Sequence, residues 1–305
     1  MSVLRQRSGR ITKLAAGLAV AMFLTLLAIG VVGWIASDRA LAPELRDSAL
    51  TIEDVQGIVF EEIMFESQTG FSPTGRFFPG TRNETIILLH GFSERQNQVL
   101  PQVRMLTDAG FNVMTYNARH PEEYGSGVFS TLGAFEREDL VSAVDYLESR
   151  DDVDPDAIGV FGLSLGGATA ILGAALDDRI AAVVAEGSFS DADSVIDSSF
   201  EHYIGLPSFP FGQVTRLIAE RRAGARLSDA RPVDAIADLS GRPVLLIHGK
   251  DDTSVPPDHS ERNLEAGGPD VDVWWVPGAG HSDAYEVEPD EYATRLIEFF
   301  DTAFE

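Results

Sequence analysis

Gly162-Leu163-Ser164-Leu165-Gly166 is a G-x-S-x-G run, followed directly by Gly167. A serine hydroxyl is a weak nucleophile near neutral pH and becomes a useful one only beside a base. On a tight strand-to-helix turn such a serine sits in strained backbone, and the flanking glycines remove clashes that side chains would cause. The setting fits that turn, because a β-branched run ends at Phe161 and a small-residue helix is predicted over 168–175. The new helix would direct N–H groups and its positive end at the site. The chemistry implied is attack by Ser164 on a carbonyl carbon. A glycine-rich packing turn is the plainer alternative.

Six histidines could supply the base. His90 and His248 each follow an apolar run and precede glycine, which suits turns. His120 lies in a loop rich in proline and glycine, and His202 in a stretch without strands. His259 follows the nearest carboxylates too closely to be a good partner. His281 sits in Pro277-Gly278-Ala279-Gly280-His281, after the last strand and before the closing helix, so elimination and chain order both select it. The imidazole needs an acid to orient it and to stabilise its cation. The segment His248-Gly249-Lys250-Asp251-Asp252-Thr253-Ser254-Val255-Pro256 leaves a strand with two adjacent carboxylates, Asp251 and Asp252. An oxyanion needs two main-chain donors. The N–H of Leu165, just after the serine, is one candidate; the other is that of Phe92 in His90-Gly91-Phe92, which follows a strand.

These residues must be held by a regular frame. Thr85–Leu89 (TIILL) is a continuous apolar run, as expected of a strand buried on both faces. Further strands are predicted over 111–116, 157–161, 180–185, 244–247 and 271–276, with helices near 99–109, 135–150 and 292–300. Such alternation implies an α/β fold with a mostly parallel sheet covered on both sides. Residues 52–66 resemble edge strands, and Ser72-Pro73-Thr74-Gly75 reads as turn-rich. Residues 188–241 break the rhythm. They are rich in Asp, Ser, Phe and Pro, with Phe200, Tyr203, Phe209 and Phe211, and read as a mainly helical cap.

A chain of 305 residues suits one large α/β domain with a short extra segment. It has no cysteine, which excludes disulfides, zinc-thiolate sites and a cysteine nucleophile. Neither H-E-x-x-H nor G-x-x-x-x-G-K-[ST] occurs, so no metal, nucleotide or other cofactor is expected. The net charge of -25 repels nucleic acid and anionic lipid heads, and no nucleic-acid partner is expected.

Leu14 to Ser37 contains no charged residue, is preceded by Arg5, Arg7, Arg10 and Lys13, and is followed by Asp38. As a helix it would span roughly 30 Å of hydrocarbon. The positive-inside rule then gives a cytoplasmic tail over 1–13, a transmembrane anchor over 14–37, a linker over 38–50 and an extracytoplasmic domain over 51–305. A cleaved signal peptide is the rival reading. A small-x-small site, Ala40-Leu41-Ala42, is followed by Pro43, which disfavours cleavage, and the apolar run is longer than the usual signal core.

Taken together, the strand-HG-F opening, the GLSLGG elbow, the HGKDDTSVP segment and the GAGH segment resemble the α/β-hydrolase superfamily over residues 85–300. The resemblance implies the α/β-hydrolase fold and a Ser-His-Asp triad in the chain order Ser…Asp…His. Its pattern HG-x-x-D-x-x-V-P places the acid on Asp252. The short cap and the anchor look like the BEM46-like, serine-aminopeptidase-like branch. Where many relatives carry D-x-R-G-H-G-x-S, this chain reads Asn117-Ala118-Arg119-His120-Pro121, with Gly125-Ser126-Gly127 after a gap. The implied reaction is hydrolysis of an ester, thioester or amide of a small-molecule, lipid or peptide acyl group. An acyltransferase with an alcohol or amine acceptor, or a non-catalytic membrane scaffold, are the other readings. Fold does not fix the substrate.

The dense carboxylates have a cheap test. A domain fully folded and active without added salt, the expected outcome, identifies a plain acidic surface. Loss of structure at low salt identifies an adaptation to screening.

Overall fold

Alternation within the apolar runs decides the layers of the molecule. The computed structural model of the chain describes residues 2–46, 50–200 and 205–305, residues 2–12 by their helical backbone. Among the described residues one sheet of eight strands forms. They are β1 (Glu61–Met64), β2 (Thr74–Phe78), β3 (Thr85–Leu89), β4 (Asn112–Tyr116), β5 (Ile158–Leu163), β6 (Ile180–Glu186), β7 (Val244–Gly249) and β8 (Val271–Val276). Their order is β1-β2-β4-β3-β5-β6-β7-β8. β2 runs antiparallel to both β1 and β4, and the remaining pairs are parallel.

In β3, Ile87 and Leu89 face one layer, where helices Glu136–Glu148 and Leu165–Ala174 supply Leu140, Val144, Leu147 and Ile171. Ile86 and Leu88 face the other, where helices Leu100–Asp108 and Pro289–Ala303 supply Val103, Leu106, Tyr292, Leu296 and Phe300. This is the two-sided, mostly parallel architecture expected from the strand and helix alternation.

Two local expectations need correction. The stretch read as turn-rich at 72–75 enters β2 at Thr74, and Gly75 serves a close strand approach, since a Cβ there would stand 2.9 Å from Tyr116 Cβ. Only Glu61–Met64 of residues 52–66 is strand, while Ile52–Val55 is a short 3-10 turn.

Between 188 and 241 the described residues hold no strand. Helix Ala192–Ser199 starts at Asp191, whose carboxylate accepts the Ser194 N–H at 2.8 Å. Helix Ser208–Ala223 ends at Gly224 in the left-handed region, φ 67°. His202 and Tyr203 lie outside the described residues. Phe200 and Phe211 stack with centroids 6.4 Å apart. Phe200, Ile196, Ala219 and Leu227 form one apolar cluster with Leu165, Ala168 and Leu172 of the helix after Ser164.

Helix Ser2–Leu41 runs unbroken through the boundaries drawn at 13 and 37. Its stretch Lys13–Leu41 is long and apolar enough to cross a membrane. The far end is not free of the domain, for Ala36 and Leu41 are buried in the cluster just described.

Leu88 is fully buried between sheet and helices. Leu88→Ala should lower the unfolding free energy by about 2–5 kcal/mol, read from the urea midpoint at unchanged m-value.

Candidate active site

β5 ends at Leu163 and the helix Leu165–Ala174 follows, so Ser164 alone turns the chain. It does so at φ 53° and ψ -112°, a conformation that costs an L-residue about 1–3 kcal/mol. Its N–H donates to the Glu186 carbonyl at the end of β6, 2.7 Å away. The glycines are required by close approach. A Cβ on Gly162 would overlap the backbone of Gly166, and one on Gly166 would overlap the Leu89 carbonyl.

β7 and β8 end at the same rim and lead into the other two groups. His281 Nε2 stands 2.9 Å from Ser164 Oγ, and Nδ1 stands 2.7 Å from Asp252 Oδ2. A carboxylate only accepts, so Nδ1 carries the proton and Nε2 offers its lone pair to the serine hydroxyl. Oδ1 of Asp252 accepts the N–H groups of Ser254 and Val255, each at 2.9 Å. Burial acts to raise this carboxyl. Contacts from His248, His281 and the Val255 N–H outweigh it and hold the group well below the usual carboxylate range. Of the two adjacent carboxylates it is Asp252 that reaches His281, while Asp251 is exposed.

Phe92 and Leu165 line one small pocket of about 20 Å³ with Pro43, Leu45, His90 and Ala118. Among the described residues neither main-chain N–H has a protein acceptor. His90 braces this loop. Its Nδ1 donates to the Gly91 carbonyl at 2.8 Å and its Nε2 accepts the Ala118 N–H at 2.9 Å. Burial pushes the ring down to about 4, so it stays neutral and keeps both bonds. The other described histidines are engaged elsewhere. His248 bonds Ser260 Oγ and the Val255 carbonyl. His120 Nε2 donates to the Pro43 carbonyl. His259 Nδ1 accepts from Ser190, and burial, followed by the charge of Arg262, pushes it down to about 4.

The loop that departs from the D-x-R-G-H-G-x-S pattern is firmly tied. Arg119 is buried, pairs with Asp139 at 3.1 Å and donates to the Phe129 carbonyl at 2.9 Å. Burial drives the Asp139 carboxyl up to about 6, with Arg119 opposing it.

The model of the prolyl oligopeptidase family matches residues 97–305. The chain belongs to that family. It is therefore an α/β hydrolase and a serine hydrolase. The chain is 28% identical over 225 residues to the uncharacterised protein YqkD of Bacillus subtilis, covering 73% of each. It is 28% identical over 254 residues to the alpha/beta hydrolase domain-containing protein WAV2 of Arabidopsis thaliana, covering 80% of this chain and 79% of that one. In fold it is similar to a Pyrococcus furiosus esterase, with a TM-score of 0.72, 23% identity, and coverage of 87% of this chain and 99% of that one.

One charged group of this prolyl oligopeptidase family member escaped sequence reasoning. Glu186 closes the otherwise apolar β6, and that break in composition is the signal that could have found it. Its Oε1 accepts the Ala284 N–H at 3.2 Å and its Oε2 the Tyr292 hydroxyl at 2.7 Å. His248, beside Asp252 at 3.4 Å, was read only as a turn residue. Burial pushes the Glu186 carboxyl up to about 7, and the Tyr292 and Ala284 bonds only partly oppose this. A carboxyl raised on folding contributes stability that is complete below its unfolded value, near 4.5, and lost as pH rises through about 7. Unfolding free energies of the wild type from urea titrations should therefore fall between pH 5 and 7 by a component on the order of 2 kcal/mol. Glu186→Gln should remove most of that slope, leaving the smaller contribution of Asp139.

Proposed function

We propose that the chain hydrolyses a carboxylic ester, thioester or amide through an acyl-enzyme, with Ser164 as nucleophile, His281 as base and Asp252 as orienting acid. The observation that carries this reading is the continuous run of hydrogen bonds from Ser164 Oγ through the His281 ring to a buried carboxylate, 2.9 and 2.7 Å long. Such contacts are within the reach that proton transfer needs.

The reaction follows from the tautomer. Ser164 Oγ attacks the acyl carbon as its proton passes to His281 Nε2, and the imidazolium so formed faces the negative charge of Asp252. The N–H groups of Phe92 and Leu165 are the donors available to the new oxyanion. Collapse of the tetrahedral intermediate breaks the bond to the leaving alcohol, thiol or amine, which takes the proton from Nε2. Water then enters, gives its proton to Nε2 and attacks the acyl-enzyme. The acid product leaves and Ser164 Oγ regains its proton. An alcohol or amine in place of that water would make the same intermediate an acyl donor, and product analysis with added acceptor alcohols separates the two.

The apolar stretch within Ser2–Leu41 is read as a single-pass anchor. Four cations precede it in the sequence and the first acid follows it at Asp38, which sets the N-terminus in the cytoplasm and the hydrolase domain outside.

With p-nitrophenyl acetate as substrate, Ser164→Ala should lower kcat on the order of 10⁶-fold and Asp252→Ala on the order of 10⁴-fold, by analogy with a comparable serine triad. A fluorophosphonate probe should label wild type and not Ser164→Ala. Full activity in Ser164→Ala would refute the assignment.

A further inference from the structure

Helices Ser2–Leu41 and Ser208–Ala223 lie side by side and run in the same direction. Near the end of the second, Arg222 donates to Ser37 Oγ at 2.9 Å and to Asp38 at 2.6 Å, near the end of the first. Earlier along the first helix, Gly33 packs on Val214, Thr215 and Ile218 so closely that a Cβ would stand 2.7 Å from Val214 Cγ1. Moving toward the start of the second helix therefore means moving deeper along the apolar stretch of the first. At about 1.5 Å of rise per residue, Phe209 falls roughly level with Leu27.

Charge and exposure divide at the same place. Gly205 to Thr215 contains no charged residue, whereas Arg216, Glu220, Arg221 and Arg222 follow. Arg216 is drawn into an ion pair with Asp193. Phe209 is 75% exposed and Leu217 50% exposed. Beside them the first helix shows Leu24, Leu27, Val31, Trp34 and Ile35 to the outside. An apolar surface continuous across two helices, with its charges confined to one end, matches the profile of a bilayer and its interface.

We propose that the first half of helix Ser208–Ala223 is embedded in the same bilayer leaflet as the adjoining part of Ser2–Leu41, so that the segment over the Ser164 rim docks directly on lipid. This rests on the membrane-anchor reading of the first helix. The embedded end shares its apolar cluster with Leu165, next to Ser164, so the rim stands at the membrane interface and an acyl substrate dissolved in lipid reaches it without crossing bulk water.

The absence of native cysteine allows a direct test. Phe209→Cys, Leu217→Cys, Leu24→Cys and Asp178→Cys, each in the full-length chain, would carry an environment-sensitive fluorophore. Each protein would be reconstituted in phosphatidylcholine vesicles containing spin-labelled lipids. Asp178 is fully exposed in an ion pair away from these helices and serves as the water-facing control. The expected result is strong quenching at 24 and 209, weaker quenching at 217 with a label nearer the headgroups, and none at 178. Quenching at 24 with 209 and 217 no more quenched than 178 would overturn the proposal while leaving the anchor intact. No quenching at 24 would overturn both. Hydrolysis of p-nitrophenyl acetate by each labelled protein shows that the fold survives substitution.

Discussion

A neutral imidazole can take a proton from a hydroxyl only while its second nitrogen is held as a donor. In this chain the group bonded to that nitrogen of His281 is Asp252, and much of the rim is arranged to keep one buried carboxylate charged there. An isolated carboxylate in such surroundings would take up a proton instead. Two main-chain N–H groups on Oδ1 and the His281 ring on Oδ2 prevent it. The Ser254 and Val255 donors come from the loop leaving β7, so the electrostatics of the acid are built into the strand's own exit. His248, on β7 itself, fixes the same loop by bonding the Val255 carbonyl at 2.9 Å.

The second constraint is backbone strain at Ser164. A left-handed serine persists only where its surroundings over-determine it. β5 lies between β3 and β6, and the helix that follows is buried along its whole length, so neither end of the turn can relax. The Ser164 N–H is spent on the Glu186 carbonyl, whose side chain in turn ties β6 to Ala284 and Tyr292. The turn bearing Ser164 and the segment after His281 are thus fastened to the same residue. Parallel strands ending at one rim supply this economy, since each contributes a short loop to the same crevice.

The buried frame was legible in the sequence because continuous apolar runs leave few other structures open: TIILL at 85–89 is β3 residue for residue. The elbow was legible because its glycines answer a steric demand that few other turns make. β2 was not, since Thr74-Gly75-Arg76-Phe77-Phe78 has a glycine and an arginine inside it and takes its strand character from pairing with β1 and β4. Asp252 was separable from Asp251 only through the family pattern; neighbouring carboxylates look alike until the chain's exit direction from β7 is known. Glu186 and the Arg119–Asp139 pair were illegible for a related reason. Their burial is set by long-range packing, and a charged residue in a string gives no sign of being enclosed.

The apolar helix was expected to hang from the domain by a linker over 38–50, and the hydrogen bonds argue for something stiffer. The Leu41 carbonyl accepts the Ser130 N–H at 2.9 Å, and the Pro43 carbonyl accepts from His120 at 2.8 Å. Arg46 N–H then donates to the Ser93 carbonyl at 2.8 Å, one residue beyond Phe92. A flexible tether would let the domain sample many orientations relative to the helix. Here three main-chain groups in succession are fastened to the loops on either side of the pocket lined by Phe92 and Leu165, and Arg222 clamps the helix end from the other side. Whatever fixes the apolar helix in space therefore also fixes the direction in which the rim bearing Ser164 faces.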